Sequence, residues 1–221
     1  MRFLFLAILA LGLAGCNGGG QPAELQPAKD PNVARSSVPG PDKLPAPDFS
    51  VKTSLRMFRN GEELRVGDSI DTALRVFREE KTSYKVAEMP SGWKDRDYTC
   101  QGWDNGTLGF AAIVNDEKVA LALYHEDRAS EARLQEILAD YDKMINLSPQ
   151  AVTGSRVRYW FWEDGDHRLM ICAVQIPSEG LNISISLGDS KLMDIFRMNP
   201  TLADRDRQSA EKLFQDGLQS Q

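Results

Sequence analysis

The sequence predicts an α+β domain, in which antiparallel sheets of hairpin-joined strands carry helices packed on one face. Short runs of alternating apolar and polar residues are separated by Asn, Asp and Gly, which tolerate tight hairpin turns. Between these runs, apolar residues recur at the spacing of an amphipathic helix. The order is helix, three strands, helix, three strands, helix, which indicates an α-βββ pseudo-repeat.

The first predicted elements are a hairpin and a helix. Residues 51–58 alternate apolar and polar side chains, Asn60-Gly61 supplies the turn, and residues 63–66 return as a strand. A Gly-Asp-Ser triplet at 67–69 then ends the strand and provides an N-cap for a helix over about 69–80.

Two groups of three strands follow, each leading into a helix. The predicted strands occupy 98–103, 108–114, 118–124, 156–162, 168–176 and 181–187. The predicted helices occupy about 129–145, the residues after a second Gly-Asp-Ser triplet at 188–190, and 201–216. The two triplets and this element order resemble the small periplasmic domains of the β-lactamase-inhibitor-protein-like type. The chain departs from that type in having three strands per unit and one helix between the units, and the resemblance implies a fold and no residue roles.

The amino-terminal residues have the layout of a secretory signal peptide. Arg2 is the positive residue, residues 3–13 are apolar, and two small residues precede Cys16. The apolar run is about half of the roughly 20 residues that a membrane-spanning helix needs, which makes a permanent transmembrane helix the weaker interpretation. The sequence Leu13-Ala14-Gly15-Cys16 resembles the lipobox of bacterial lipoprotein precursors.

This resemblance implies a diacylglyceryl group on the Cys16 thiol, cleavage before Cys16, and acylation of the new amino terminus. Two acyl chains are enough for stable anchoring, since each buried methylene contributes about 0.8 kcal/mol. Asn17 after the cysteine, in place of Asp, implies the periplasmic side of an outer membrane if the organism has two membranes. The alternative is an ordinary secretory cysteine near a cleavage site.

The chain is therefore expected to divide into three parts. Residues 1–15 are the signal peptide, and residues 16–48 are the lipidated amino terminus and a disordered tether. The tether contains seven of the eleven prolines and a run of three glycines, a composition that cannot bury enough apolar surface to become ordered. Residues 49–221 form a single α+β domain.

The negative net charge limits which binding partners can be expected. The formal net charge of −6 disfavours nucleic acid and leaves the lipid on Cys16 as the membrane contact.

Once Cys16 carries lipid, Cys100 and Cys172 remain, and an exported compartment permits a disulfide between them. The alternative is that both are small buried hydrophobic residues.

The sequence contains no catalytic, metal or cofactor motif. His125 and His167 are not in a metal-ligand spacing, and neither a Gly-x-Ser-x-Gly elbow nor a phosphate-binding loop is present. We therefore expect a non-catalytic binding or interaction module with no cofactor. The alternative is a small envelope hydrolase or ligand-binding protein whose site is assembled by folding.

The aromatic stretch Tyr-Trp-Phe-Trp at 159–162 is the most informative internal segment. In a strand, Trp160 and Trp162 point to one face and the other two rings to the opposite face. We predict that Trp160 and Trp162, extended by Trp103, form a surface for an envelope protein partner, because tryptophan is enriched in binding hot spots. The alternative is that these rings are core and cross-strand pairs.

Overall fold

A computed structural model describes residues 44–79, 85–87, 97–196, 198–201, 203–205, 207–209 and 212 of the chain. The predicted signal peptide, the lipobox with Cys16 and most of the predicted tether lie outside these residues. In the described part of the chain, no helix is both long enough and apolar enough to cross a bilayer.

An eight-stranded antiparallel sheet organises the domain, and a separate two-stranded hairpin precedes it. The hairpin is β1 (Met57–Arg59) and β2 (Glu62–Leu64). The large sheet consists of β3 (Lys85–Ala87), β4 (Tyr98–Asp104), β5 (Leu108–Asn115), β6 (Lys118–Ala129), β7 (Gln150–Thr153), β8 (Val157–Asp164), β9 (His167–Ile176) and β10 (Gly180–Asp189). Its strand order is β3-β4-β5-β6-β10-β9-β8-β7, so two four-stranded meanders meet where β6 pairs with β10.

The predicted α+β class with antiparallel, hairpin-joined strands is confirmed, but each unit has four strands instead of three. The two strands missing from the prediction, β3 and β7, lie at the two ends of the sheet. They are only three and four residues long. A strand that short, with three of the four β7 residues exposed, lacks the alternation that signals a half-buried strand.

Three helices are bounded by caps that the sequence contains. They are α1 (Ile70–Val76), α2 (Glu131–Met144) and α3 (Ser190–Ile195). Ser69 accepts a hydrogen bond from the N–H of Thr72, and Asp189 accepts from the N–H groups of Lys191 and Leu192. These are N-caps in the two Gly-Asp-Ser triplets, as predicted. The described residues between 200 and 209 are also helical.

The sheet is buried on both faces, which corrects the expectation that all helices pack on one face. The first face, covered by α1 and α2, carries the larger apolar cluster, which includes Phe110, Tyr124 and Ile185. The second face packs against α3 through Leu192 and Phe196. The central strands explain this arrangement, because residues 167–173 of β9 are all buried and their apolar side chains point alternately to both faces.

Residues 44 and 45, which the prediction assigns to the tether, contact the domain. Leu44 is only 3% exposed and belongs to the apolar cluster on the second face. The hydroxyl of Tyr98 donates to the carbonyl of Pro45 at 2.6 Å. The last residues of the predicted tether therefore pack on the domain, because an apolar side chain and a backbone acceptor there find partners on β4.

Candidate functional site

Trp103 and Trp162 belong to the core, so the prediction that they form a partner surface is wrong. Their side chains are 3% and 2% exposed. The indole N–H of Trp103 donates to the carbonyl of Phe77 at 2.8 Å, and that of Trp162 donates to the carbonyl of Leu147 at 3.1 Å. Both residues have a buried ring and a satisfied N–H, which is how tryptophan is accommodated in a core.

Trp160 is placed differently, because it is only partly buried and lines a groove. The groove has a volume of about 290 Å³ and lies between α2 and the β7–β8 edge of the sheet. Its lining residues are Gln135, Leu138, Ala139, Asp142, Pro149, Trp160 and Trp162. Of the predicted aromatic surface, Trp160 and Trp162 both line this groove, and Trp160 is the more exposed of the two.

The geometry of α2 explains why the groove is open. Leu134, Ile137 and Tyr141 form the buried stripe of the helix, and the ring of Tyr141 lies 6.0 Å from that of Trp162. The groove is lined by the flank of the helix next to this stripe. Ala139 on that flank is small and exposed, so no side chain of α2 fills the space above Trp160.

The two carboxylates at opposite ends of α2 differ in whether they are paired with a cation. At the start of α2, both carboxylate oxygens of Glu131 accept hydrogen bonds from Arg158 at 2.8 Å, and Gln135 donates to Oε1 at 3.0 Å. These hydrogen bonds, chiefly those from Arg158, lower the pKa of Glu131 to about 2. Asp142, at the other end of the helix, is exposed and pairs with no cation among the described residues. The groove therefore has one open carboxylate on its rim.

Two exposed apolar side chains lie close in sequence to residues that line this groove. Within the described residues, the large hydrophobic side chains that are exposed are Met144 at 40% and Leu147 at 38%. Met144 is the last residue of α2, and Leu147 lies two residues before Pro149. Exposed apolar groups that cluster beside a concave site are typical of an interaction surface.

The size and lining of the groove fit a side chain of a partner. Its volume is near the lower limit of the roughly 300–1,000 Å³ found for small-molecule sites. Its polar lining groups are the carboxylate of Asp142 and the amide of Gln135. An aromatic floor with a few polar groups at the rim fits one or two side chains of a partner.

Folding also brings polar residues of neighbouring strands together in a row on the second face of the sheet. Ser184 of β10 and Gly109 of β5 pair with His125 of β6 from either side, and Asp104 of β4 pairs with Gly109. Burial lowers the pKa of His125, and burial raises the pKa of the neighbouring Asp127. His125 and Ser184 are 4% and 6% exposed, so these groups are packed rather than presented to a substrate. Sequence reasoning missed this row because the pairing of β6 with β10 brings together residues 59 positions apart.

The possible disulfide between Cys100 and Cys172 is not formed. The two residues lie on β4 and β9, with β5, β6 and β10 between them. Four strand spacings amount to about 19 Å, whereas bonded cysteines have Cα atoms within about 7 Å. Both are buried, and burial raises the pKa of the Cys100 thiol to about 11. The alternative interpretation, two small buried hydrophobic residues, describes them.

The described residues contain no group of three or more His, Cys, Asp or Glu side chains arranged to hold a metal ion. His125 and His167 are both buried.

Comparisons of the chain with protein-family models, curated proteins and solved structures found no match.

Proposed function

We propose that this protein is a lipid-anchored lipoprotein of the cell envelope whose α+β domain is a non-catalytic binding module for another envelope protein. The anchor is the lipid on Cys16, and the binding surface is the Trp160 groove with its flanking apolar residues. The observation that carries the binding proposal is the position of Trp160, which is half-buried at an open groove while Trp103 and Trp162 are enclosed.

Several physical features of the groove support this function. Tryptophan in a partly desolvated pocket is the residue type that contributes most to protein interfaces. Met144 and Leu147, close in sequence to Pro149 of the groove, add exposed apolar area. Apolar side chains that do not pack inside the domain gain stability by packing against a partner, at roughly 25 cal/mol for each Å² removed from water.

A small envelope hydrolase with a site assembled by folding is the alternative function. The row around His125 would be its catalytic site, with Ser184 as the nucleophile. The burial of both side chains argues against this alternative, because a nucleophile has to reach the substrate in a concave, accessible site. The groove at Trp160 is accessible but lacks such groups.

Site-specific photo-crosslinking in living cells tests the binding surface. A benzoylphenylalanine at position 139 lies in the groove, whereas one at the exposed position 132 lies on the same helix about 10 Å further along its axis. We expect a discrete adduct with an envelope protein from position 139 and none from position 132. Equal adducts at both positions, or none at either, would contradict the proposed surface.

A fractionation experiment tests the anchor separately. Replacing Cys16 by serine removes the thiol that would carry the diacylglyceryl group, so the variant should leave the membrane fraction. A Cys100→Ser variant, whose thiol is buried in β4, serves as the matched control and should remain on the membrane. Membrane retention of the Cys16→Ser variant would show that lipid on this residue is not the anchor.

A further inference from the structure

We propose that the partner binds by adding a strand: an extended, cationic polypeptide segment pairs with the outer edge of β7 and inserts a large apolar side chain into the Trp160 groove. This inference rests on the proposed function, because it specifies how the same surface recognises its partner. The groove, the free edge of β7 and an open carboxylate each contribute to the argument.

The outer edge of β7 is open to pairing. β7 is the last strand of the sheet, and among the described residues nothing pairs with its far side. Its four residues, Gln150–Thr153, include no charge and no proline. Natural edge strands are commonly protected by charged residues, proline or bulges, and an edge that lacks them is a template for another strand.

The hydrogen-bonding groups that face outward can be assigned from the hairpin that joins β7 to β8. The N–H of Gly154 donates to the carbonyl of Val157 at 3.0 Å, and β7 then pairs without a register shift, Val152 opposite Tyr159. Hydrogen-bonded and non-hydrogen-bonded pairs alternate along an antiparallel ladder. Val152 therefore bonds inward to β8, whereas Ala151 and Thr153 direct their N–H and C=O groups away from the sheet.

The side chain of Ala151 leaves a path from this edge to the groove. Ala151 is opposite Trp160 in the register, so both side chains project from the same face of the sheet. Ala151 is exposed and has only a methyl group. An added strand would lie about 5 Å from β7, and a long side chain opposite Ala151 would extend over that methyl group onto the indole.

Charge complementarity favours a cationic segment over a second copy of this chain. Asp142 is exposed on the rim and unpaired among the described residues, whereas Glu131 and Glu126 are already bonded to Arg158 and Arg133. A lysine or arginine on the face of the added strand that carries the apolar side chain would approach Asp142. A second copy would instead bring together two chains that each have a net charge of −6, which is unfavourable at low ionic strength.

The test uses a defined probe on the mature chain with Cys16→Ser, which keeps the protein soluble. The probe peptide is acetyl-Thr-Lys-Val-Phe-Val-Lys-Thr-amide, which in a strand places Phe and both Lys on one face. The control peptide exchanges each Lys with the neighbouring Val and so places Lys on the opposite face from Phe. Affinity is measured by fluorescence anisotropy of the labelled peptides.

Two pairs of variants separate strand addition from groove binding. Ala151→Pro removes an outward N–H without removing a bond to β8, since proline is tolerated on an edge strand where its nitrogen faces solvent. Ala151→Ser is its matched control, and Thr153→Pro repeats the test at the second outward position. Ala139→Arg fills the groove, and Ala132→Arg places the same charge on the same helix outside it.

We expect the probe to bind at least tenfold more tightly than the control peptide. Ala151→Pro, Thr153→Pro and Ala139→Arg should each weaken binding at least tenfold at unchanged urea midpoint, while Ala151→Ser and Ala132→Arg should not. If the proline variants bind as the parent does while Ala139→Arg does not, strand addition is overturned and groove binding stands. If the probe does not bind, strand addition is again overturned, and photo-crosslinking at position 139 decides the proposed function separately. A chain that self-associates through β7 would overturn the choice of a cationic partner.

Discussion

Gly109 offers a direct test of how His125 is packed on the second face of the sheet. The two residues face each other across β5 and β6. A Cβ atom at Gly109 would lie 2.0 Å from Cε1 of His125, 2.7 Å from Nδ1 and 2.9 Å from Nε2. All three atoms belong to the imidazole, so the glycine is required here by the space that the ring occupies.

The expected cost of Gly109→Ala follows from this geometry. The ring is 4% exposed, so it cannot swing into solvent without displacing the groups that cover it. Overpacking a core costs about 1–3 kcal/mol, and an off-rotamer side chain adds about 0.5–1.5 kcal/mol. We expect the free energy of unfolding to fall by about 2–3 kcal/mol, which at a urea m-value of roughly 2 kcal/mol/M lowers the midpoint by about 1–1.5 M.

A double-mutant cycle with His125→Ala supplies the control. Urea unfolding, followed by tryptophan fluorescence, is measured for the parent, both single variants and the double variant. In the His125→Ala background the methyl group at position 109 enters vacated space, so Gly109→Ala should cost at least about 2 kcal/mol less than in the parent. An equal cost in both backgrounds, or a cost below about 0.5 kcal/mol in the parent, would refute the packing of His125 against Gly109.

Three further predictions follow from the buried polar groups. The guanidinium of Arg168 donates from Nε to Glu163 at 2.8 Å, and from Nη1 to Asp194 at 2.6 Å and to the carbonyl of Met198 at 2.8 Å. A lysine ammonium has a single nitrogen and cannot donate in both directions, so Arg168→Lys should cost about 2 kcal/mol in urea unfolding. An unchanged midpoint would contradict this role. Burial lowers the pKa of His125 from its ordinary 6.5, so below pH 6.5 the unfolded chain binds a proton that the folded chain does not. The free energy of unfolding should therefore decline between pH 7 and 5. A His125→Gln variant whose free energy of unfolding declines equally would exclude His125 as the cause. The chain carrying Cys16→Ser, denatured without reductant, should contain two titratable thiols, those of Cys100 and Cys172. A count of zero would show that the two residues form a disulfide.

Much of the fold could be predicted from local signals. Asn60 and Gly61 both have positive φ in the first hairpin, and Asp116 and Glu117 do so in the turn between β5 and β6. Such residues define tight turns in the sequence itself. The longer strands also show their apolar alternation directly, and the predicted ranges match the observed strands to within two residues, except that β6 continues five residues further, to Ala129.

The edge strands were not predicted, and the sequence singled out Trp160 but could not separate it from Trp162, because both outcomes depend on tertiary packing. Trp160 and Trp162 lie on the same face of the same strand, and nothing local distinguishes them. The difference arises from α2, because Tyr141 covers Trp162 whereas Ala139 leaves space above Trp160. For Cys100 and Cys172, an even cysteine count carries no information about how many strands separate them.

The most direct test of the central claim follows the indole N–H resonances of ¹⁵N-labelled mature chain carrying Cys16→Ser during titration with the cationic probe peptide. Trp160 borders the groove, whereas Trp103 is enclosed on β4 with its N–H bonded to Phe77. We predict that the Trp160 resonance shifts in a saturable manner while the Trp103 resonance stays fixed. A Trp160 resonance that does not move at millimolar peptide, or equal shifts at both indoles, would contradict a peptide-binding surface at Trp160.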